Sequence, residues 1–424
     1  MAQFIRASLI YASGAMLMAF VASRTNAFDR WMATDFLEYW ASGRLNLRGE
    51  NPYDPSQLLA EQRIAEPRRD HAVMMWNPPP SLALYMPIGI LPAKWASLLW
   101  VCLQTGSILL ASRLLWQVYA CTPGQPQWPA PILAACSAGS WWVIAYGQNT
   151  GFILLGLAGF LHFLRKDRPL TAGACAALTA LKPHLLAVFG VLLVTDACTR
   201  RGARTLAAGI AAIALALGAA CLLNPSVMEQ FASAVRHPAA GASPLSDWWL
   251  PVPAFWLRKW FAPNYFVVQF APCAIACTCF LGYRFWRRAA WNWSQALPLV
   301  IAASVLTTPY GGWLFDLPVL LVPMIWAAAR ILGAQQWGRF RLFLMGQALV
   351  TAASLASPRG LHEYWWVAPA TLAICLLGFC RTRRTSDEDP GEDASAIPEA
   401  YRARNKAHPL PRVGSSSQSD RFAR

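Results

Sequence analysis

The sequence predicts an all-α polytopic membrane protein, and three observations carry that expectation. Only 13% of the 424 residues are charged while 56% are hydrophobic, against about 25% charged in soluble domains. Long apolar runs recur along most of the chain, as at 210–223 and 317–329, and a bilayer span needs roughly 20 mostly apolar residues. Basic residues cluster beside those runs, at Arg165-Lys166, Arg200-Arg201, Arg287-Arg288, Arg381 and Arg383-Arg384. The alternating ten-residue segments of a membrane barrel are absent.

The formal net charge of +15 would point to nucleic acid on a soluble chain. Beside apolar spans, the same arginines read as cytoplasmic topology signals. The 11 cysteines lie mostly inside apolar runs, as Cys136, Cys175, Cys221 and Cys375 do, and read as small packing residues. Cys273, Cys277 and Cys279 are close in sequence but lack partnering histidines, so neither a disulfide framework nor a zinc site is expected.

With the basic clusters inside, the elements follow in order. Residues 7–22 form a retained first span, because the flanks lack a convincing cleavage site. A first outer loop covers 23–77. Spans at about 95–116, 129–145 and 151–164 follow, the last returning to Arg165. The 30 or so residues up to Arg200 are broken by Lys182-Pro183, which suits two short spans with their bend at or below the outer surface. A span at about 206–223 precedes a second outer loop, 224–263. Five more, near 265–283, 296–308, 314–329, 342–355 and 364–379, bring the total to about twelve with both termini inside. Residues 1–380 thus form one catalytic membrane domain. The stretch 381–424 is rich in Asp, Glu, Ser, Pro and Arg and reads as a disordered cytoplasmic tail.

Within the first outer loop, Phe36, Tyr39, Trp40, Gly43 and Leu47 share one helical face, with Glu38, Arg44 and Arg48 off it. That pattern predicts an amphipathic helix lying in the interface. Pro78-Pro79-Pro80 then stops any helix, and 82–91 is too short to span, so it is expected to dip in and return.

Candidate chemistry gathers at the outer ends. Asp35 sits where the first span meets the outer water and is a candidate general base for an acceptor hydroxyl. Its competing role is a helix N-cap, with Glu38 three residues on as in a capping box. Lys182 in the middle of an apolar hairpin is costly unless it faces water or a partner, so it either meets a lipid phosphate or snorkels. His184 follows as a polar packing residue or ligand contact. Gln148 and Asn149 offer amides to sugar hydroxyls or cap the next helix. Tyr310 and Asp316 flank another outer turn, Asp316 as a possible cap. Arg236 and His237 are loop charges able to meet phosphate. Trp248, Trp249, Trp256 and Trp260 suit sugar stacking or interfacial anchoring.

In sequence order these pieces resemble glycosyltransferase family 87. Asp35-Phe36 with Tyr39, and Gly49-Glu50-Asn51-Pro52-Tyr53-Asp54-Pro55, resemble its opening. So do Trp76-Asn77-Pro78-Pro79 with Pro87 and Leu91-Pro92, Gly147-Gln148-Asn149, Ala172-Gly173 to Lys182-Pro183, and Thr308-Pro309-Tyr310 with Phe315-Asp316-Leu317. The resemblance implies the GT-C membrane fold and a polyprenyl-phosphate-sugar-dependent glycosyltransferase, with mannose as the default sugar and a cell-envelope glycolipid or glycan as acceptor. It implies inverting transfer at the outer face of the plasma membrane, with Asp35 as catalytic base. Lys182, Arg236 and His237 become candidates for the donor phosphate. Tyr39, Tyr53, Gln148, Asn149, His184, Tyr310 and Asp316 become candidate substrate contacts. Tyr310 departs from members with histidine at that position, so a role borrowed from that imidazole does not transfer. No cofactor or metal is called for, since no carboxylate cluster indicates one. The rival readings are a lipid or solute transporter and a non-catalytic envelope assembly protein. The membrane itself is a partner in every reading, and nucleic acid in none.

Overall fold

The computed structural model describes residues 35–120, 125–236, 248–356 and 360–387. The expected first span at 7–22, His237 and the tail beyond 387 lie outside the described residues. Within them every regular element is helical.

The chain opens with α1 (Phe36–Leu47) and α2 (Pro55–Ala65), then a 3₁₀ turn at Pro79–Ser81 running into α3 (Leu82–Gly89). The long α4 (Ala93–Tyr119) is followed by α5 (Pro129–Ala135), α6 (Ala138–Tyr146) and α7 (Thr150–Arg165). Helix α8 (Pro169–Ala176) continues as 3₁₀ backbone to Leu181, and Pro183–Leu186 leads into α9 (Ala187–Asp196). Next come α10 (Arg200–Leu223), α11 (Val227–Arg236), α12 (Pro253–Phe261), α13 (Ala271–Trp286) and α14 (Trp293–Thr307). A 3₁₀ segment at Leu314–Leu320 enters α15 (Leu321–Gly333), and α16 (Trp337–Ala356) and α17 (Val367–Asp387) complete the described chain.

Among the described residues, four helices are long and apolar enough to cross a membrane: Ala93–Tyr119, Arg200–Leu223, Phe266–Trp286 and Leu314–Gly333. The segments Pro169–Leu181 and Pro183–Asp196 pass together but are bent by 120°. The break falls at Lys182-Pro183, where the sequence placed it. Thr150–Arg165 and Trp293–Thr307 are apolar but shorter. By length and composition the described residues thus supply four full spans, or five if the bent pair counts as one, against the twelve expected over the whole chain. The span expected at 129–145 is two helices, with Cys136 and Ser137 between them. The physical reason is shared: α6, α7, α8 and α14 stop short and hand over to 3₁₀ or irregular backbone. Such backbone is tolerated at membrane depth only where it is buried or lines a cavity.

Helix α1 departs from the expected interfacial helix. Phe36, Tyr39, Trp40 and Leu45 are buried, and so are the polar Glu38, Ser42 and Asn46. It is enclosed by α3, α2 and α4 rather than resting one face on lipid. Gly43 permits the closest of these approaches, since a Cβ there would stand 2.2 Å from the Tyr85 carbonyl oxygen. Trp40 Nε1 donates to the Leu91 carbonyl at 2.9 Å, and Asn46 Nδ2 to that of Ala220 at 3.2 Å.

The loop after α1 is built by its own side chains. Asp54 accepts from the backbone N–H groups of Ser56 and Gln57, both at 2.9 Å, an N-cap with Pro55 at the first helical position. Glu61 then binds Arg44 at 2.8 Å and Arg48 at 2.6 Å. Those two arginines, polar positions in the surface reading of α1, therefore tie it to α2.

Replacing Gly43 by alanine drives a methyl into the Tyr85 backbone, which cannot rotate away. We expect destabilisation of about 1–3 kcal/mol, read as a lowered midpoint in denaturant titration of the detergent-solubilised protein. Alanine at Gly106, where an added Cβ meets nothing within 4 Å, provides the neutral comparison.

Candidate active site

One cavity of about 860 Å³ brings together polar residues of five separate stretches, with His71 and Asn77 from the loop after α2 among them. Asp35, Glu38 and Tyr39 come from the start of α1, and Gln148 from the α6–α7 turn. Lys182 and His184 come from the bend between α8 and α9, and Tyr310 from the turn after α14. The aromatic wall includes Trp76, Trp248, Trp313 and Phe315.

Backbone geometry explains the placement of Gln148. Helix α6 ends at Gly147 in the left-handed conformation, φ +68, which glycine adopts without strain. The Trp100 indole N–H donates to the Gly147 carbonyl at 2.6 Å, fixing the turn. Gln148 then points to the cavity while Asn149 turns inward and is fully buried.

Gln148 is the hub. Its Nε2 donates to Asp35 Oδ2 at 2.5 Å. Its Oε1 accepts from Tyr39 Oη at 2.8 Å and from Lys182 Nζ at 2.7 Å. Lys182 in turn forms an ion pair with Asp316 Oδ1 at 2.6 Å and lies 3.5 Å from Thr150 Oγ1. The other Asp316 oxygen accepts from the Trp313 N–H at 3.1 Å. A charge chain thus runs Asp35, Gln148, Lys182, Asp316, with the amide orientation set by its two donors.

Asp35 does not cap α1: it stands at the N-cap position without a side-chain cap bond. Its carboxylate is committed to Gln148 instead. Burial pushes the Asp35 carboxyl above the usual carboxylate range, and the Gln148 bond and Lys182 charge draw it partly back. Glu38 is only 6% exposed. Burial first, and the neighbouring Asp35 charge second, hold its carboxyl well above that range.

The sequence candidates divide as follows. Asp35, Tyr39, Gln148, Lys182, His184 and Tyr310 line the cavity. His184 and Tyr310 meet edge to face at 5.3 Å, and Tyr310 lies 5.6 Å from Trp248 between ring centroids. Tyr53 does not line it: its hydroxyl donates to the Asn77 carbonyl at 3.1 Å and its ring packs on Phe231. Asn149 lies behind the wall, donating to Tyr85 Oη at 2.7 Å. Asp316 is 1% exposed and reaches the cavity only through Lys182. Arg236 is exposed at the end of α11 and lines no part of it. Of the four tryptophans considered for stacking, Trp248 alone is in the wall.

Several lining residues, Trp313 and Asn77 among them, escaped sequence reasoning as site residues. Glu38 was read only as a capping partner, Trp76 only as part of a motif, and His71 not at all. The legible signal for Glu38 was its position one turn from Asp35, on the same side of α1.

Residues 76–309 match the family model described as glycosyltransferase family 87, which is more than half of the chain. The match takes in Gln148, Lys182 and His184 and stops short of Asp35 on one side and Asp316 on the other. No curated protein and no solved structure matches the chain.

Breaking one half of the Lys182–Asp316 pair leaves a charge stranded in the protein interior. Lys182→Met or Asp316→Leu alone is expected to cost about 3–5 kcal/mol. The double variant Lys182→Met/Asp316→Leu is expected to cost much less than the sum. Denaturant midpoints of the four proteins in detergent close this double-mutant cycle, and additive losses would contradict the pairing.

Proposed function

The chain belongs to glycosyltransferase family 87, and from that premise we propose that it transfers a hexose, mannose by default, from a polyprenyl-phosphate sugar. The acceptor is a cell-envelope glycolipid or glycan at the outer face of the plasma membrane. The single observation that carries the reading is the Asp35 carboxylate, held by Gln148 on the wall of a cavity shared with Lys182 and His184.

In the proposed reaction the acceptor hydroxyl lies against Asp35. Ionised Asp35 takes its proton as the oxygen attacks the anomeric carbon. The bond from that carbon to the phosphate oxygen breaks, the configuration inverts, and polyprenyl phosphate leaves with the bonding electrons. Lys182 faces the growing charge on the phosphate, its long contact to Thr150 giving way to a phosphate oxygen. The Asp316 ion pair and the Gln148 bond keep the ammonium aimed while this happens. Trp76, Trp248 and Tyr310 form an aromatic wall for the sugar. Tyr39 orients Gln148, and through it the base. Arg236 stands outside this wall.

The sidedness of the reading rests on helix ends. Gln148 and Tyr310 stand just beyond the ends of α7 and α14, and Phe315 lies in the segment leading into α15, while the far ends of these helices carry Arg165, Trp293 and Arg330. Arginine-rich ends favour the cytosol, so the carboxylate falls on the outer side. The transporter reading is less well supported. The ionisable groups of the cavity gather at one end of the helices, rather than halfway along them as transport sites do.

Asp35→Asn keeps the shape and removes the base. Sugar transfer from a polyprenyl-phosphate donor in proteoliposomes is expected to fall by at least about 100-fold, and near-normal turnover by folded protein would exclude the assignment. Glu38→Gln mimics a neutral acid and is expected to retain most of the activity. The pH profile follows in sign from the raised Asp35 carboxyl. The base must be ionised, so kcat/KM is lost as pH falls through a value above the ordinary carboxylate range. An acid limb at or below that range would contradict the reading.

A further inference from the structure

A second cavity, of about 760 Å³, opens at the opposite end of the same helices and plays no part in the proposed reaction. Arg165 ends α7, Arg201 begins α10 and Arg330 lies near the end of α15, and all three line it. No acidic side chain is among its lining residues. Arg165 donates to the Val118 carbonyl and Arg201 to that of Leu164, so both guanidiniums are held by backbone. The one carboxylate on Arg201 is Asp167, at 3.3 Å, and its side chain is 83% exposed. A pair so open to water neutralises little of the charge. Arg330 lies over the Trp326 ring at 5.1 Å.

The walls are aromatic, with Tyr119, Trp291, Trp293 and Trp326 among them. Two polar atoms of this wall, Tyr119 Oη and Trp291 Nε1, are buried without a hydrogen-bond partner among the described residues. Unmet donors of this kind are uncommon and mark places where a partner belongs. An apolar surface leads outward from the same wall. Trp291 packs on Tyr283 at 6.1 Å between ring centroids, and Tyr283 belongs to the mostly exposed apolar segment Phe266–Trp286. Phe285 and Trp286 on it are 62% and 78% exposed.

From this we propose a binding site for the phosphate of an anionic lipid in the leaflet on the arginine side, its acyl chains lying along Phe266–Trp286. The three arginines supply the charge and the planar donors that phosphate geometry favours. The aromatic and apolar walls distinguish a lipid from free phosphate, which has no use for them. Helix α7 starts just after Gln148 of the first cavity and ends at Arg165 in this one; its 16 residues span about 24 Å at 1.5 Å per residue, so the two cavities lie at opposite ends of it. This inference stands independently of the glycosyl-transfer reading.

Native mass spectrometry of the full chain tests it, with phosphatidylglycerol, phosphatidylcholine and inorganic phosphate as probes. The expected result is one phosphatidylglycerol retained per chain in preference to phosphatidylcholine, and not displaced by millimolar phosphate. Arg165→Gln/Arg201→Gln/Arg330→Gln is expected to lower that retention at least about tenfold. Arg200→Gln/Arg287→Gln/Arg288→Gln, which removes equal charge outside the cavity, should leave it nearly intact. Equal retention of both lipids by the unaltered chain, equal losses in the two triple variants, or displacement by inorganic phosphate would each overturn the proposal. Should the cavity variant fail to fold, the lipid preference of the unaltered chain and the single variant Arg330→Gln decide the matter.

Discussion

The site depends on one buried ion pair. Lys182 and Asp316 meet at 2.6 Å with side chains 10% and 1% exposed, and neither charge is tolerable in that place alone. Together they fix the ammonium, the ammonium fixes Gln148 Oε1, and the opposite end of the same amide fixes Asp35. Each partner comes from a different helical segment. Assembly of the bundle and assembly of the chemistry are therefore one event, and the carboxylate is aimed only when α1, the α6–α7 turn, the α8–α9 bend and the entry to α15 are all in place.

The same dependence explains why the helices around the site are short. A buried polar network needs irregular backbone beside it to supply donors and acceptors. Asn77 Nδ2 donates to the Leu181 carbonyl at 3.1 Å, and Thr308 Oγ1 to that of His184 at 3.1 Å. These bonds satisfy carbonyls that a continuous helix would have used internally. The cost to regular spanning structure is local, and the deeper halves of α7, α14 and α15 remain tightly packed and apolar.

Much of this was legible in the sequence, for definite reasons. Composition and basic clustering announced a helical membrane protein, and Lys182-Pro183 announced the break, because proline and a buried cation both interrupt an apolar helix. The pairings were not legible. Lys182 and Asp316 are 134 residues apart and Gln148 and Asp35 are 113 apart, and local pattern carries no information at that range. Helix α1 misled for a related reason. Polar residues at Glu38, Arg44 and Asn46 look the same whether they face water or find partners in the interior. The structure supplies a partner for Arg44 from α2 and one for Asn46 from α10. Asp54 and Tyr53 show the converse. Both sit in a motif that resembles a family signature, yet one caps a helix and the other fills the core.

The bend at Lys182 has one more implication. Pro169 comes just after the basic stretch Arg165 to Arg168, and Asp196, where the pair ends, binds Arg284 and the Trp293 indole at 2.8 and 3.2 Å. Both feet of the hairpin thus stand at the arginine end, and only its tip reaches the cavity that holds Asp35 and Gln148. A segment that returns to the side it left is topologically silent: its removal or insertion leaves the handedness of every later crossing unchanged. A membrane enzyme can therefore acquire, lose or exchange the element bearing its cation without turning the rest of the polypeptide inside out.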